Sequence, residues 1–194
     1  MHDIIIIGAG VVGCHLARLL SRYDLDVLVL EKENDVGDGA SGANSAILHS
    51  GYDPEPGTLK AKLNVIGNAM HDNICEELDI PMLRIGSITV ATKEEEIKVL
   101  EELKKRAKIN GVEVKLLNGE EIKAIEPNIN PNVIAGLLAP SAGIINPFEL
   151  CIALMENAMD NGVKLKLNEE VIGILKNEAG LFTVKTKNNN YLGK

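Results

Sequence analysis

The sequence holds no tryptophan, two phenylalanines and three tyrosines in 194 residues. Any core must therefore be filled by aliphatic side chains rather than rings. Cysteine is equally sparse. Cys14, Cys75 and Cys151 stand far apart with no Cys-x-x-Cys, which excludes a disulfide framework and predicts buried thiols in a reducing cytosol. His2, His15, His49 and His71 lack ligand spacing, so no metal site is expected. Positive charge is short too: 20 Lys and Arg against 28 Asp and Glu leave a net charge of -8. Nucleic-acid binding, which needs a clustered basic footprint, is excluded. Long apolar runs are also missing. The stretch from Ile4 to Leu20 is broken by three glycines, His15 and Arg18 and preceded by Asp3, unlike a signal peptide or a membrane span. The protein is expected in the cytoplasm, with peripheral attachment at the inner face of a membrane left open. A hydrophobic content of 45% with 25% charged residues excludes disorder.

What is present begins with the β-branched run Ile4–Ile7, read as a strand buried on both faces of a parallel sheet. Gly8-Ala9-Gly10-Val11-Val12-Gly13 follows at once. Leu16, Ala17 and Leu20 recur at helical spacing, and Val27–Leu30 is a second strand ending at Glu31. Strand, glycine turn, helix and strand in about 30 residues is the dinucleotide-binding pattern. In it Gly8 permits the tight bend, Gly10 lets a pyrophosphate approach the backbone, and Gly13 lets helix and strand pack closely. The helix N-terminus offers unpaired N–H groups and a positive dipole end. Glu31 stands where an acid accepts hydrogen bonds from ribose hydroxyls, which argues against a 2′-phosphate and so against NADP. On these residues alone NAD and FAD remain equal, since both carry the ADP half.

Further along, residues 35–50 are rich in Gly, Ser, Ala and Asn, as suits backbone passing close to a ligand. Leu59, Leu63, Ile66, Met70, Ile74 and Leu78 mark a long amphipathic helix, with Met70 and Cys75 expected in the core. Residues 85–91 read as a strand. Thr92 and Glu95 form a capping box for a helix with the stripe Ile97, Leu100, Leu103 and Ala107, closed by Gly111. Strands are expected at 112–117 and 134–139, with a short helix capped by Asn118 before the second. Asn146, Pro147 and Glu149 open a helix running to about Asp160. Residues 163–167, 171–176 and 181–186 are three more strand candidates.

Two segments discriminate between the cofactors. Residues 38–52, Asp-Gly-Ala-Ser-Gly-Ala-Asn-Ser-Ala-Ile-Leu-His-Ser-Gly-Tyr, followed by Pro56-Gly57-Thr58-Leu59-Lys60-Ala61-Lys62-Leu63, resemble the D-amino-acid-oxidase-like superfamily of FAD-dependent oxidoreductases. Gly143-Ile144-Ile145-Asn146-Pro147-Phe148-Glu149-Leu150 resembles the same group. The nearest likeness within it is to anaerobic glycerol-3-phosphate dehydrogenase large subunits and L-2-hydroxyglutarate oxidases. The resemblance implies FAD, and an α/β fold in which a Rossmann-like FAD/NAD(P)-binding domain with a β-meander carries part of an antiparallel α+β substrate domain. It implies a division into residues 1–80 and 143–194 for FAD and 81–142 for substrate.

By the same resemblance, Ser41, Asn44 and Ser45 line flavin or pyrophosphate, Lys32 joins Glu31 in the cofactor-binding set, and the backbone of Val171 meets adenine. His49 and Gly51 lie beside the isoalloxazine, with His49 the one candidate for a catalytic role. Lys60, Lys62 and Arg84 are candidates for an anionic substrate, with solvated surface the plainer reading of each. The implied reaction is oxidation of a small anionic 2-hydroxy compound. Glycerol 3-phosphate, giving dihydroxyacetone phosphate, comes first, L-2-hydroxyglutarate second and an amino acid third, with electrons passing to partner subunits or quinone. Family members continue with a further strand of the FAD sheet, more substrate domain and a C-terminal segment. An N-terminal portion of such an enzyme is therefore the expectation, and a non-catalytic flavin-binding fragment is the alternative.

Overall fold

The computed structural model describes residues 1–194. Along the chain run β1 (Ile4–Ile7), α1 (Val11–Leu20), β2 (Val27–Leu30), β3 (Ile47–Leu48), α2 (Leu59–Glu77), β4 (Met82–Leu83), β5 (Ser87–Ala91) and α3 (Glu94–Asn110). There follow β6 (Lys115–Asn118), α4 (Gly119–Ile125), β7 (Ala135–Ala139), β8 (Gly143–Ile145), α5 (Pro147–Asp160), β9 (Lys164–Lys166), β10 (Val171–Lys176), β11 (Phe182–Thr186) and β12 (Asn190–Gly193). Contacts group these into two compact units, one of Met1–Ser45, Leu78–Ile80 and Asn146–Lys194, the other of Ala46–Glu77 and Pro81–Ile145. By packing, then, residues 46–77 group with the segment read from sequence as substrate domain.

In the first unit β1, β2 and β9 form a parallel sheet in that order. Every residue of β2 is buried, as a central parallel strand requires. β1 departs from the expectation of burial on both faces: Ile6 is buried but Ile7 is 49% exposed, because β1 has a sheet neighbour on one side alone. Helix α1 packs on α5. The residues α1 buries are Cys14 and Ala17, whereas Leu16, expected inside, is exposed. Small side chains let two helices approach closely, and α5 meets them with Cys151, Leu154 and Ala158, all fully buried. Asn146 caps α5 as expected, its Oδ1 accepting from the amides of Phe148 and Glu149. Strands β10, β11 and β12 form the antiparallel meander. Leu28, Leu30 and Val184 make a cluster against which Ile5, Val171 and Tyr191 pack. The end of β12 returns to the start of the chain, where the His2 amide donates to the Leu192 carbonyl at 2.8 Å.

In the second unit β5, β7 and β6 form an antiparallel sheet, with β7 central. Helix α3 lies on it, and Ala91, Leu100 and Leu137 form the buried cluster. Gly111 ends α3 in the left-handed conformation, φ 75°. The cap of α3 is displaced by one residue from the expected Thr92–Glu95 box, since Glu96 accepts from the Thr92 and Lys93 amides instead. Asn118 caps α4, accepting from the Glu121 amide at 3.0 Å. A small sheet, β3-β8-β4, completes the unit. Helix α2 buries Ala61, Asn68, Ile74 and Cys75, while Leu59, Leu63, Ile66 and Met70 are exposed. Cys75 is therefore core as expected and Met70 is not. No helix is long and apolar enough to cross a membrane.

Candidate functional site

Within the first unit the turn after β1 is tied to β2, because the Gly8 amide donates to the Leu30 carbonyl at 2.8 Å. The backbone then bends through Gly8 at φ 99°, a conformation that residues with a Cβ rarely adopt. Gly13 answers a second demand, closeness. A Cβ on it would lie 2.0 Å from the Gly8 carbonyl oxygen. Gly10, the N-cap of α1, has no side chain to satisfy the helix's first amides. Ser41 serves one of them, its Oγ accepting from Val11 at 2.9 Å. The helix ladder begins with the Cys14 amide donating to Gly10, so the amides of Val12 and Gly13 are left without an acceptor in the chain. Two unspent N–H groups at the positive end of a helix dipole attract an anion.

Glu31, 8% exposed, grips this turn at the end of β2. Its Oε2 accepts from the Ala9 amide at 2.6 Å and its Oε1 from the Glu33 amide at 3.0 Å. Each carboxylate oxygen retains a further lone pair, enough to take a ribose hydroxyl as well. Removing the carboxylate strips an ionised acceptor from two backbone donors, a hydrogen bond of this kind contributing about 1.5–3 kcal/mol. Glu31→Ala is thus expected to lower the unfolding free energy of the ligand-free chain by about 2–4 kcal/mol, read from its urea transition. Glu31→Gln, which keeps one acceptor oxygen, should lose roughly half as much. Equal midpoints for Glu31→Ala and wild type would overturn the assignment.

Ala9 is the hub that sequence reading missed. Its carbonyl accepts from the Gly37 amide at 2.9 Å and from the Cys14 thiol at 3.2 Å. Gly37, at φ 74°, sits against Cys151, and a Cβ there would come within 3.0 Å of the Cys151 Cβ. The glycine-rich composition of residues 35–50 was the available signal, but nothing local marked which glycine mattered. Cys14 and Cys151 meet behind the turn, and their contact together with burial pushes the Cys14 thiol up, while the same contact lowers that of Cys151.

The other candidates in this unit divide. Ser41 belongs to the turn through Val11, and Asn44 Nδ2 donates to the Ser41 carbonyl at 2.6 Å, bracing that segment. Ser45 is exposed. Lys32 is also exposed and pairs with Glu33 at 3.0 Å, an ion pair that raises its pKa. Val171 opens β10 and packs on Leu28, Leu30 and Val184.

His49 and Gly51 lie in the second unit, just after β3. The His49 side chain is exposed, whereas Ser50 and Gly51 are buried. Gly51 is required twice over, by φ 91° and by the 2.8 Å a Cβ would leave to Val65 Cγ2. Lys60 and Lys62 are exposed on α2. Arg84 is half-buried and not free for an anion: its guanidinium is spent on Asp72, Asn68 and the Ser141 carbonyl. No group of His, Cys, Asp and Glu is placed to hold a metal ion.

Comparison with known proteins follows the same lines. The family model described as FAD dependent oxidoreductase matches residues 3–191. A glycerol 3-phosphate dehydrogenase of Caloramator mitchellensis is 48% identical over 188 residues, which cover 96% of this chain and 39% of that protein. An L-2-hydroxyglutarate dehydrogenase of Escherichia coli (strain UMN026) is 33% identical, over 93% of this chain and 43% of that protein. Among solved structures, the dithionite-reduced L-α-glycerophosphate oxidase of Mycoplasma pneumoniae with FAD bound superposes with a TM-score of 0.93 at 35% identity, over 97% of this chain and 50% of that one. The chain thus spans about two-fifths to one half of the length of these relatives.

Proposed function

The chain belongs to the family of FAD-dependent oxidoreductases, and from that premise we propose that it supplies the dinucleotide-binding part of an enzyme oxidising sn-glycerol 3-phosphate to dihydroxyacetone phosphate. The observation that carries the reading is the pair of unspent amides on Val12 and Gly13, set beside Glu31. FAD is the family's cofactor, and these residues fit its ADP half. The helix N-terminus suits the pyrophosphate, and Glu31 suits an unphosphorylated ribose. Ser41, Asn44 and Ser45 shape the approach to the pyrophosphate. Lys32 and the Val171 backbone border the ribose and adenine.

Bound FAD would supply the acceptor for a hydride from the carbon that bears the substrate hydroxyl. The chain's own part is to bind and orient, and to move one proton. His49 is the base that takes the hydroxyl proton, its carbonyl pinned by Asn68 and the two residues after it buried. In functional terms we assign residues 1–80 and 143–194 to the flavin and 81–142 to the substrate. The electrons leave to a partner subunit or quinone. The setting is the cytoplasm, with peripheral attachment at the inner face of the membrane where quinone is the acceptor.

Glycerol 3-phosphate is preferred to L-2-hydroxyglutarate because the glycerol 3-phosphate dehydrogenase relative is 48% identical, against 33% for the hydroxyglutarate enzyme. Flavin absorbance of the purified, FAD-loaded protein, followed without oxygen, tests both points. Glycerol 3-phosphate is expected to bleach the flavin band within seconds, while L-2-hydroxyglutarate leaves it unchanged. The reverse pattern assigns the second substrate. A protein that takes up no FAD removes the reading altogether.

A further inference from the structure

The residues that hold the His49 loop are not conspicuous in the sequence, yet each is committed to the loop's backbone. Asn68, 8% exposed in the middle of α2, donates through Nδ2 to the His49 carbonyl and to the Ser141 carbonyl, both at 3.0 Å. Its Oδ1 accepts from Arg84 Nη1 at 3.1 Å. Both hydrogens and the oxygen of the carboxamide are thereby used, and the arrangement admits one orientation of the amide. Arg84 is locked in turn, with Nη2 donating to the Asn68 carbonyl at 2.8 Å and Nε donating to Asp72 at 3.0 Å. On the far side of the same loop, Asn110 Nδ2 donates to the carbonyls of Gly51 and Pro54, at 3.1 and 2.9 Å. The His49 ring takes no part in these bonds.

A buried Asn on a helix costs free energy unless it is fully paired, and here its pairing goes to the loop rather than to the helix. The consequence is a rigid peptide at His49 beneath an exposed ring. We propose that Asn68, oriented by Arg84, is the positioning residue that fixes the His49 backbone and so aims its imidazole. The inference rests on the reading of His49 as the base. A base acts only within hydrogen-bonding reach of its proton, and misplacement by about 1 Å lowers rates by orders of magnitude.

Asn68→Asp separates the two halves of the clamp. The carboxylate keeps Arg84 but has no hydrogen to give to the His49 and Ser141 carbonyls. Backbone ¹⁵N relaxation of the ligand-free chain is expected to show order parameters at residues 49–51 falling from about 0.85 to below about 0.6, with the rest of α2 and the sheets unchanged. In the FAD-loaded protein, kcat should fall about tenfold with KM unchanged. Arg84→Lys, which loses the fork but keeps the charge, should give a smaller loosening confined to the same residues. It carries the test should the aspartate variant not fold. Unchanged order parameters at 49–51, or loosening spread evenly over residues 46–77, overturns the proposal. Failure of the parent reading looks different, since His49→Gln would then reduce flavin at the wild-type rate whatever the relaxation data show.

Discussion

Replacing His49 by Gln is expected to slow flavin reduction by about 10²–10⁴-fold while leaving FAD affinity within about threefold of wild type. The first number is the range a positioned general base contributes to proton transfer. The second follows from where the side chain is. The ring is exposed, and the backbone beneath it is held by Asn68 and Asn110 rather than by the ring itself. Truncation to a neutral amide of similar size should therefore remove the proton acceptor without releasing the loop. Anaerobic stopped-flow absorbance with glycerol 3-phosphate reads the rate, and a flavin fluorescence titration reads the affinity. A rate within tenfold of wild type would place the base elsewhere, and a large loss of FAD affinity would make His49 a structural residue.

Legibility in the sequence followed the range of the interaction that set each feature. The glycine turn, β2 and the caps of α4 and α5 are decided by residues a few positions apart, and Gly8, Gly13, Asn118 and Asn146 stand where the pattern predicts them. The strands β3, β4 and β8 are two or three residues long and exist through pairing with distant partners, such as Leu48 with Gly143, so no local periodicity announced them. Amphipathicity misled at α2. It shows that one face is apolar, not that the chain covers it, and here the loop at His49 draws the face of Asn68 inward instead of the one carrying Met70. Arg84 was readable as a cation but not as a spent one, since its acceptors come from residues 68, 72 and 141. The site itself divides the same way: the phosphate turn was legible, while the Ala9 hub and the Asn68 clamp depend on contacts across 19 to 73 positions. Short-range chemistry marks where a ligand binds, and long-range packing decides how firmly the binding groups are aimed.

The same distinction gives the second large effect its form. Gly13→Ala adds one methyl group in a place where the structure has no room, 2.0 Å from the Gly8 oxygen and 3.1 Å from its carbon. Both neighbours are backbone, so no flexible side chain can swing aside. Relief requires α1 to move away from the end of β1, and the amides of Val12 and Gly13 move with it. FAD affinity is therefore expected to fall by at least about 100-fold, equivalent to about 2.7 kcal/mol. Gly67→Ala supplies the contrast on α2, where the new methyl meets nothing within 4 Å and the helical backbone favours alanine. That variant should bind FAD as wild type does and gain about 0.5–1 kcal/mol in urea unfolding. The comparison isolates crowding at the turn from the generic effect of removing a glycine. Should Gly13→Ala bind FAD within threefold of wild type, the close approach of α1 to β1 would not be what shapes the phosphate site, and the unspent amides would lose their claim to the pyrophosphate.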